Sequence, residues 1–438
     1  MNAHTQSLTL QGEAGAIEAL LDRPGASPNA EGDPDELVPA HYGDPLREQR
    51  LLVGGAAVTA LARDVVVVSG PDRLSWLTTL SSQVLTGLVP GDGGVETLIL
   101  DAHGHIAHAL AALDDGRTLR LVTEAGRGAA LAEHLQRMRF MLRVEVATAG
   151  DLAVLAAMGG GADALDGAAR RVRLARLGGG AGSDPAGPDA ADPDAADRGG
   201  PGAWRDPWPG VVPGGTSYDV GLARAHPGAS WRAGLVIVPV DAVGEVVDDF
   251  LADGPGRALA GSLAWEALRI EAGRPRWARE VDERTIPHEL DWLRTAVHLT
   301  KGCYPGQETI ARTLNLGRPP RRLTILQLDG LTGRLPAPGA VVRLGERAVG
   351  SVTSVARHHE LGPMALALLR RSVPVDAALT VDAAEETGPG SAGAGPGGGS
   401  GAAARVDAVQ EPLVCPDGKA QASPAQRPGA GLRKSLLH

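Results

Sequence analysis

Two stretches of this chain hold too little apolar surface to build a core. Gly178–Gly202 consists mainly of Gly, Ala, Asp and Pro, and Thr387–Ala404 has the same low-complexity character. Neither can bury enough to offset the entropy of becoming ordered, so both are expected to be disordered. The foldable part is therefore interrupted twice. Before the first gap, Val65–Ser69 reads as a buried strand and Asp72–Leu80 as a helix, with Pro71 at its start. Strands follow at Thr97–Asp101, Ile106–Leu113 and Leu119–Thr123, then a helix near Gly126–Met138 and a strand Leu142–Val146. Short hairpins interleaved with helices fit a ferredoxin-like α+β layer. A second such unit starts at Asp151, with a strand at Leu235–Pro239 and helices at Ala242–Leu251 and Ser262–Ala272. The remaining strands, from Leu323–Leu328 to Leu379–Asp382 and then Ala404–Val414 beyond the second gap, suit a small antiparallel barrel.

The expected organisation is a disordered arm (1–45), an N-terminal α+β domain (46–150) and a second α+β domain (151–320) with a disordered insertion (178–202). A β-barrel (321–414) with a disordered loop (387–404) and a disordered tail (415–438) complete it. The first 48 residues are polar and lack an apolar targeting core. Apolar runs such as Val65–Val68 fall far short of the roughly 20 residues a membrane span requires. Lys and Arg total 42 against 52 Asp and Glu, a net charge of −10 without a basic block, so nucleic acid is not expected as a general partner. Two cysteines make no disulfide framework, which points to a reducing, cytoplasmic setting.

One of those cysteines sits in Lys301-Gly302-Cys303-Tyr304-Pro305-Gly306-Gln307-Glu308. Pro305 sets φ and Gly306 can take the positive φ of a tight turn. An ammonium two residues before a cysteine favours its thiolate, so Lys301 is expected to be the charge partner of a reactive Cys303. Trp265 and Arg269 lie four apart on a helix and share a face, a pairing of flat aromatic and fixed cation that suits a flat anionic ligand. Asp101, His103, His105 and His108 crowd one hairpin, but no further ligand completes a metal site with standard spacing, so no metal is expected.

The octapeptide, followed by Ala311-Arg312, resembles the signature of the YgfZ family, folate-binding proteins related to the T-protein (aminomethyltransferase) of the glycine cleavage system. Trp265 to Pro275, Thr285-Ile286-Pro287-His288-Glu289 and Val67 to Leu77 resemble the family's other segments. The resemblance implies an α+β fold: two ferredoxin-like α/β layers around a central cavity plus a small C-terminal antiparallel β-barrel. It implies tetrahydrofolate as cofactor, held by Trp265, Arg269, Gln307 and Glu308, with Cys303 and Lys301 at the edge of the cavity as the reactive pair. It also implies a monomer that supports assembly or repair of iron–sulfur clusters, with client proteins or assembly factors as partners. Cys303 and Cys415 cannot furnish the four thiolates of a resident cluster. The alternative is a folate-dependent aminomethyl or other one-carbon transferase. It is disfavoured because Gly104-His105-Ile106-Ala107-His108-Ala109 stands where T-proteins have an essential aspartate. The T-protein segment whose glutamate helps hold the pterin is matched by Trp231-Arg232-Ala233-Gly234, and Arg63 stands where some relatives have an aromatic at the folate pocket.

Overall fold

The computed structural model describes residues 20–178, 202–219, 221–222, 224–331, 333–383 and 404–425. In chain order the first strands are β1 (Ser27–Pro28), β2 (Pro39–His41), β3 (Ala57–Leu61), β4 (Arg63–Ser69), β5 (Val95–Leu100), β6 (Ile106–Asp114), β7 (Thr118–Glu124), β8 (Glu145–Thr148) and β9 (Leu152–Met158). Then come β10 (Trp204–Arg205), β11 (Ala233–Pro239), β12 (Ala258–Leu259), β13 (Arg321–Leu328), β14 (Val341–Leu344), β15 (Arg347–His358), β16 (Gly362–Arg370), β17 (Leu379–Asp382) and β18 (Arg405–Pro412). The α-helices are α1 (Pro45–Val53), α2 (Arg73–Leu80), α3 (Gly128–Arg137), α4 (Gly160–Gly178), α5 (Val243–Ala252), α6 (Ser262–Glu271), α7 (Trp277–Glu280) and α8 (Gln307–Asn315).

The strands form a two-stranded sheet, β1-β2, two five-stranded sheets, ordered β5-β6-β7-β4-β8 and β10-β11-β9-β3-β12, and a closed barrel, β13-β16-β15-β14-β17-β18. Period-two alternation explains how the sheets stack. On β9, Ala153, Leu155 and Ala157 pack with Val243, Val247 and Phe250 of α5, while Val154, Ala156 and Met158 point into the core shared with Leu98, Trp204 and Trp265. On β7, Leu119 and Leu121 meet Leu77 of α2 and Leu131 of α3, while Val122 faces the shared core. Each sheet thus covers one face with helices and turns the other toward a common interior. The α+β class, the two layers around a central cavity and the terminal barrel all agree with the sequence.

Several expected boundaries do not hold. Residues 20–45 of the expected arm are built into the fold. Asn29 Nδ2 donates to Asp35 O (2.9 Å), Val38 O (2.8 Å) and Ser262 Oγ (2.9 Å), and Asp35 is buried against Arg276. The segment is held by polar partners remote in sequence, which apolar periodicity cannot reveal. The division at residue 150 is also crossed, because β3 pairs with β9 and lies in the second sheet. Residues 415–425 of the expected tail pack on the second domain. Cys415 N donates to Tyr218 O (2.6 Å), Gln421 N to Ser217 O (2.9 Å) and Ser423 Oγ to Leu314 O (2.9 Å). Most of the expected insertion and of the expected loop, 179–201 and 387–403, lies outside the described residues, as do 1–19 and 426–438.

Candidate functional site

The cavity between the two sheets has a volume of about 110 Å³ and opens to solvent. Its walls are unusual for a chain with 3% aromatic residues, since five of the seven tryptophans, Trp204, Trp231, Trp265, Trp277 and Trp292, line it. Trp265 comes from α6 and meets Trp231 edge to face, with ring centroids 5.2 Å apart. Aromatic faces of this kind suit a flat ring system.

Between the indoles lie two buried ionic networks. In the first, Arg274 donates through Nε to Asp206 Oδ2 (2.9 Å) and through Nη2 to Glu96 Oε1 (2.5 Å). Its guanidinium carbon also sits 5.0 Å from the centroid of Trp208. Glu96 accepts from Trp292 Nε1 (2.9 Å) and Thr295 Oγ1, and Asp206 Oδ2 accepts from Trp231 Nε1 (2.7 Å). Burial, with Asp206 alongside, raises the Glu96 carboxyl above its ordinary range despite the pull of Arg274. The second network centres on Arg276, which bonds Asp35, Glu124 and Glu266. Arg63, at the start of β4, joins it through Glu124 (3.1 Å).

Arg269 also borders the cavity, but its guanidinium is committed elsewhere. It is 2% exposed and makes five hydrogen bonds, two to Glu266 (2.7 and 2.6 Å) and one each to Glu280 (3.1 Å), Arg274 O (3.2 Å) and Ser354 Oγ (2.6 Å). A guanidinium has five N–H groups. The expected role of Arg269 in gripping a folate carboxylate is therefore corrected: its donors tie α6 to α7 and to the barrel.

The octapeptide occupies a different place, and none of its residues lines the cavity. Gly306 (φ +78°) precedes α8, as the Pro-Gly turn requires, and the hairpin of β5 and β6 presses against it. A Cβ on Gly306 would lie 2.7 Å from Asp101 O, and one on Gly104 would lie 2.8 Å from Thr309 Cβ, so both positions need glycine. Within the hairpin Asp101 Oδ1 accepts from the backbone N–H groups of His103 and His105 (2.8 Å each), and His105 Nδ1 lies 2.9 Å from Oδ2. These groups shape a turn. Cys303 is exposed beside this contact, not at the cavity edge expected for it.

Lys301 is not the charge partner that its spacing suggests. Its Nζ donates to the carbonyls of Thr78 and Ser81 at the C-terminal end of α2 and lies 4.6 Å from the centroid of the buried Tyr304 ring. Burial lowers its pKa to about 8. The carbonyl end of a helix attracts a cation, which explains the docking. Gln307 Nε2 donates to Lys301 O (3.4 Å), and Glu308 pairs with Arg312 (2.9 Å) at the surface, so neither reaches the cavity as a folate ligand. It follows that Lys301→Met should leave the rate of Cys303 alkylation by iodoacetamide within about twofold of wild type. A charge partner would slow it by about tenfold or more when removed.

The sequence did contain a signal for the cavity. Six of the seven tryptophans fall between residues 204 and 292, and Arg274-Pro275-Arg276 follows the Trp265 helix directly. Glu96 and Asp206 carried no such signal, because each acquires its meaning from a remote arginine.

The barrel matches the model of the CAF17 C-terminal beta-barrel domain over residues 321–388. The tRNA-modifying protein YgfZ of Edwardsiella ictaluri is 36% identical over 128 residues, which is 28% of this chain and 38% of that protein. A candidate chloroplastic transferase of Arabidopsis thaliana is 39% identical over 99 residues, 23% of this chain and 22% of that one. The chain thus spans well under half the length of these curated relatives. The structure of the glycine cleavage system aminomethyltransferase T from Bartonella henselae superposes over 91% of this chain and 96% of its own, with a TM-score of 0.60 and 16% identity.

Proposed function

We propose that this chain, YgfZ-like in sequence and aminomethyltransferase-like in fold, binds tetrahydrofolate in the tryptophan-lined cavity. The observation that carries this reading is the cavity itself: five indoles and two buried ionic networks enclosed between two sheets. Trp265 and Trp231 supply faces for a pterin ring, and the indole N–H groups of Trp231 and Trp292 hold the carboxylates beside it. The protein then supports assembly or repair of iron–sulfur clusters in client enzymes. Cys303, exposed on a rigid turn, is the thiol that meets those partners. Because the cysteine lies outside the cavity, folate and client occupy different surfaces, and folate acts by stabilising the fold that presents the motif.

Aminomethyl transfer is not favoured. Where β6 faces the cavity it presents Ala109 and Ala111, and the lining carboxylates Glu96, Glu124 and Asp206 are all ion-paired. Among the described lining residues no free carboxylate is left to move a proton.

Tetrahydrofolate titration followed by tryptophan fluorescence tests the reading. Saturable quenching is expected for wild type, weakened about tenfold or more in Trp265→Ala through loss of the stacking surface. Absence of quenching in wild type, confirmed by calorimetry, would remove the folate claim.

A further inference from the structure

A second cavity, of about 280 Å³, shares no lining residue with the tryptophan cavity. It opens where β10, only two residues long, stops covering its neighbour. Among the described residues β11 is paired on that edge at Gly234 and Leu235 alone, and residues 236–239 beyond them line the cavity. Val236 and Val238 form an apolar wall with Val246 of α5. Arginines supply the polar part: Arg120 from β7, and Arg170, Arg173 and Arg176 from α4. The three on the helix recur every third residue and so lie along one side of it. An apolar wall with a few fixed polar groups is the usual make-up of a small-ligand site, and the volume lies near the lower end of the roughly 300–1,000 Å³ that such sites span.

Three of these arginines are already matched by carboxylates. Arg120 Nη1 donates to Asp115 Oδ2 (2.5 Å), Arg170 lies 2.8 Å from Asp166, and Arg176 pairs with Glu245 (2.7 Å) and Asp241 (3.0 Å). Arg173 differs. It is half-buried and makes no hydrogen bond, ion pair or ring contact among the described residues. Of its three guanidinium nitrogens only Nε is closed to solvent, so Nη1 and Nη2 remain open to an incoming group. A guanidinium cannot shed its charge by losing a proton, so the position favours a bound anion. We propose that this cavity binds an amphipathic monocarboxylate, its carboxylate on the Nη groups of Arg173 and its apolar body along Val236, Val238 and Val246. One unmatched cation calls for one negative charge; a dianion would place excess negative charge beside Asp166 and Glu245. The site stands apart from the folate reading and does not depend on it.

Calorimetric titration of the full chain with octanoate tests it, with acetate and octylammonium as controls. Wild type should bind octanoate saturably. Acetate, which lacks the apolar body, and octylammonium, which Arg173 repels, should each bind at least about tenfold more weakly. Arg173→Gln should weaken octanoate by about tenfold to a hundredfold, the loss expected for a hydrogen-bonded charge partner. Trp265→Ala should leave octanoate affinity within about twofold of wild type, because the two cavities share no wall. If Arg173→Gln does not fold, the comparison of octanoate with octylammonium on wild type decides the matter. Octylammonium bound as tightly as octanoate would overturn the proposal, as would an Arg173→Gln protein of wild-type affinity. Loss of octanoate in Trp265→Ala would assign the ligand to the tryptophan cavity and overturn it too. So would a wild type that binds no octanoate.

Discussion

Arg276→Met is expected to destabilise the protein by about 3–5 kcal/mol, the cost of removing one partner from a buried charge network. Arg276 is the hub between three parts of the chain. Nη1 donates to Asp35 (2.7 Å) and Glu266 (2.9 Å), Nη2 to Asp35 (3.0 Å) and Glu124 (2.9 Å), and Nε to Glu124 (3.1 Å). Burial alone would lower its pKa, but Glu124, Glu266 and Asp35 outweigh that effect and raise it well above the ordinary arginine value. Methionine fills similar volume yet leaves the carboxylates facing one another in a low-dielectric interior. Arg63 and Arg269 retain contact with Glu124 and Glu266, whereas Asp35 keeps only Arg63 at 4.0 Å. The segment carrying Asp35 should therefore loosen first. Urea unfolding gives the size of the effect, and hydrogen exchange over residues 27–41 gives its location. A loss below about 1 kcal/mol would show that the network is not a structural hub.

Acid should remove a comparable amount through two histidines. Burial, with Arg127 and His134 nearby, lowers His108 to about 4, and burial lowers His288 to about 4 despite its contact with Ile310 O. An unfolded histidine titrates near 6.5. Between these values the unfolded chain binds protons that the folded chain refuses, so stability rises with pH in that window. The contribution is complete above about pH 6.5 and is lost as pH falls toward 4, roughly 3 kcal/mol for each histidine. Glu96, raised chiefly by burial, works in the opposite direction, so the informative quantity is the difference between variants. His108→Gln should remove about half of the contribution these two side chains make between pH 7.5 and 4.5, and His108→Gln/His288→Gln nearly all of it, leaving the smaller slope that His134 and His359, also lowered by burial, supply. A double variant with the wild-type slope would refute the assignment to these two side chains.

Much of the framework was legible because its causes are local. The Pro305-Gly306 turn, the helix bearing Trp265 and the strands of the barrel follow from φ preferences and from periods of 3.6 and 2. The site was legible only in part. Trp265 could be placed on a helix face from its neighbours, and it does border the cavity. Arg269 shares the helix, yet Glu280 and Ser354, the latter 85 positions away, consume its donors. Lys301 stands two residues from Cys303 in sequence, but its ammonium goes to the end of a helix more than 200 positions earlier. Nearness along the chain does not specify electrostatic partners, because a long cationic side chain settles wherever acceptors replace its lost water.

By itself, then, the sequence determined the α+β class, the two layers and the barrel, the motif turn and the gathering of tryptophans before it. These depend on backbone preference and on apolar periodicity, which act over a few residues. Tertiary structure decided which charges meet: Asp35 with Arg276 across 241 positions and Glu96 with Arg274 across 178. A buried ion is tolerated only where its counter-ions converge in space. That convergence is a property of the packed sheets and helices, not of any segment that supplies one of the charges.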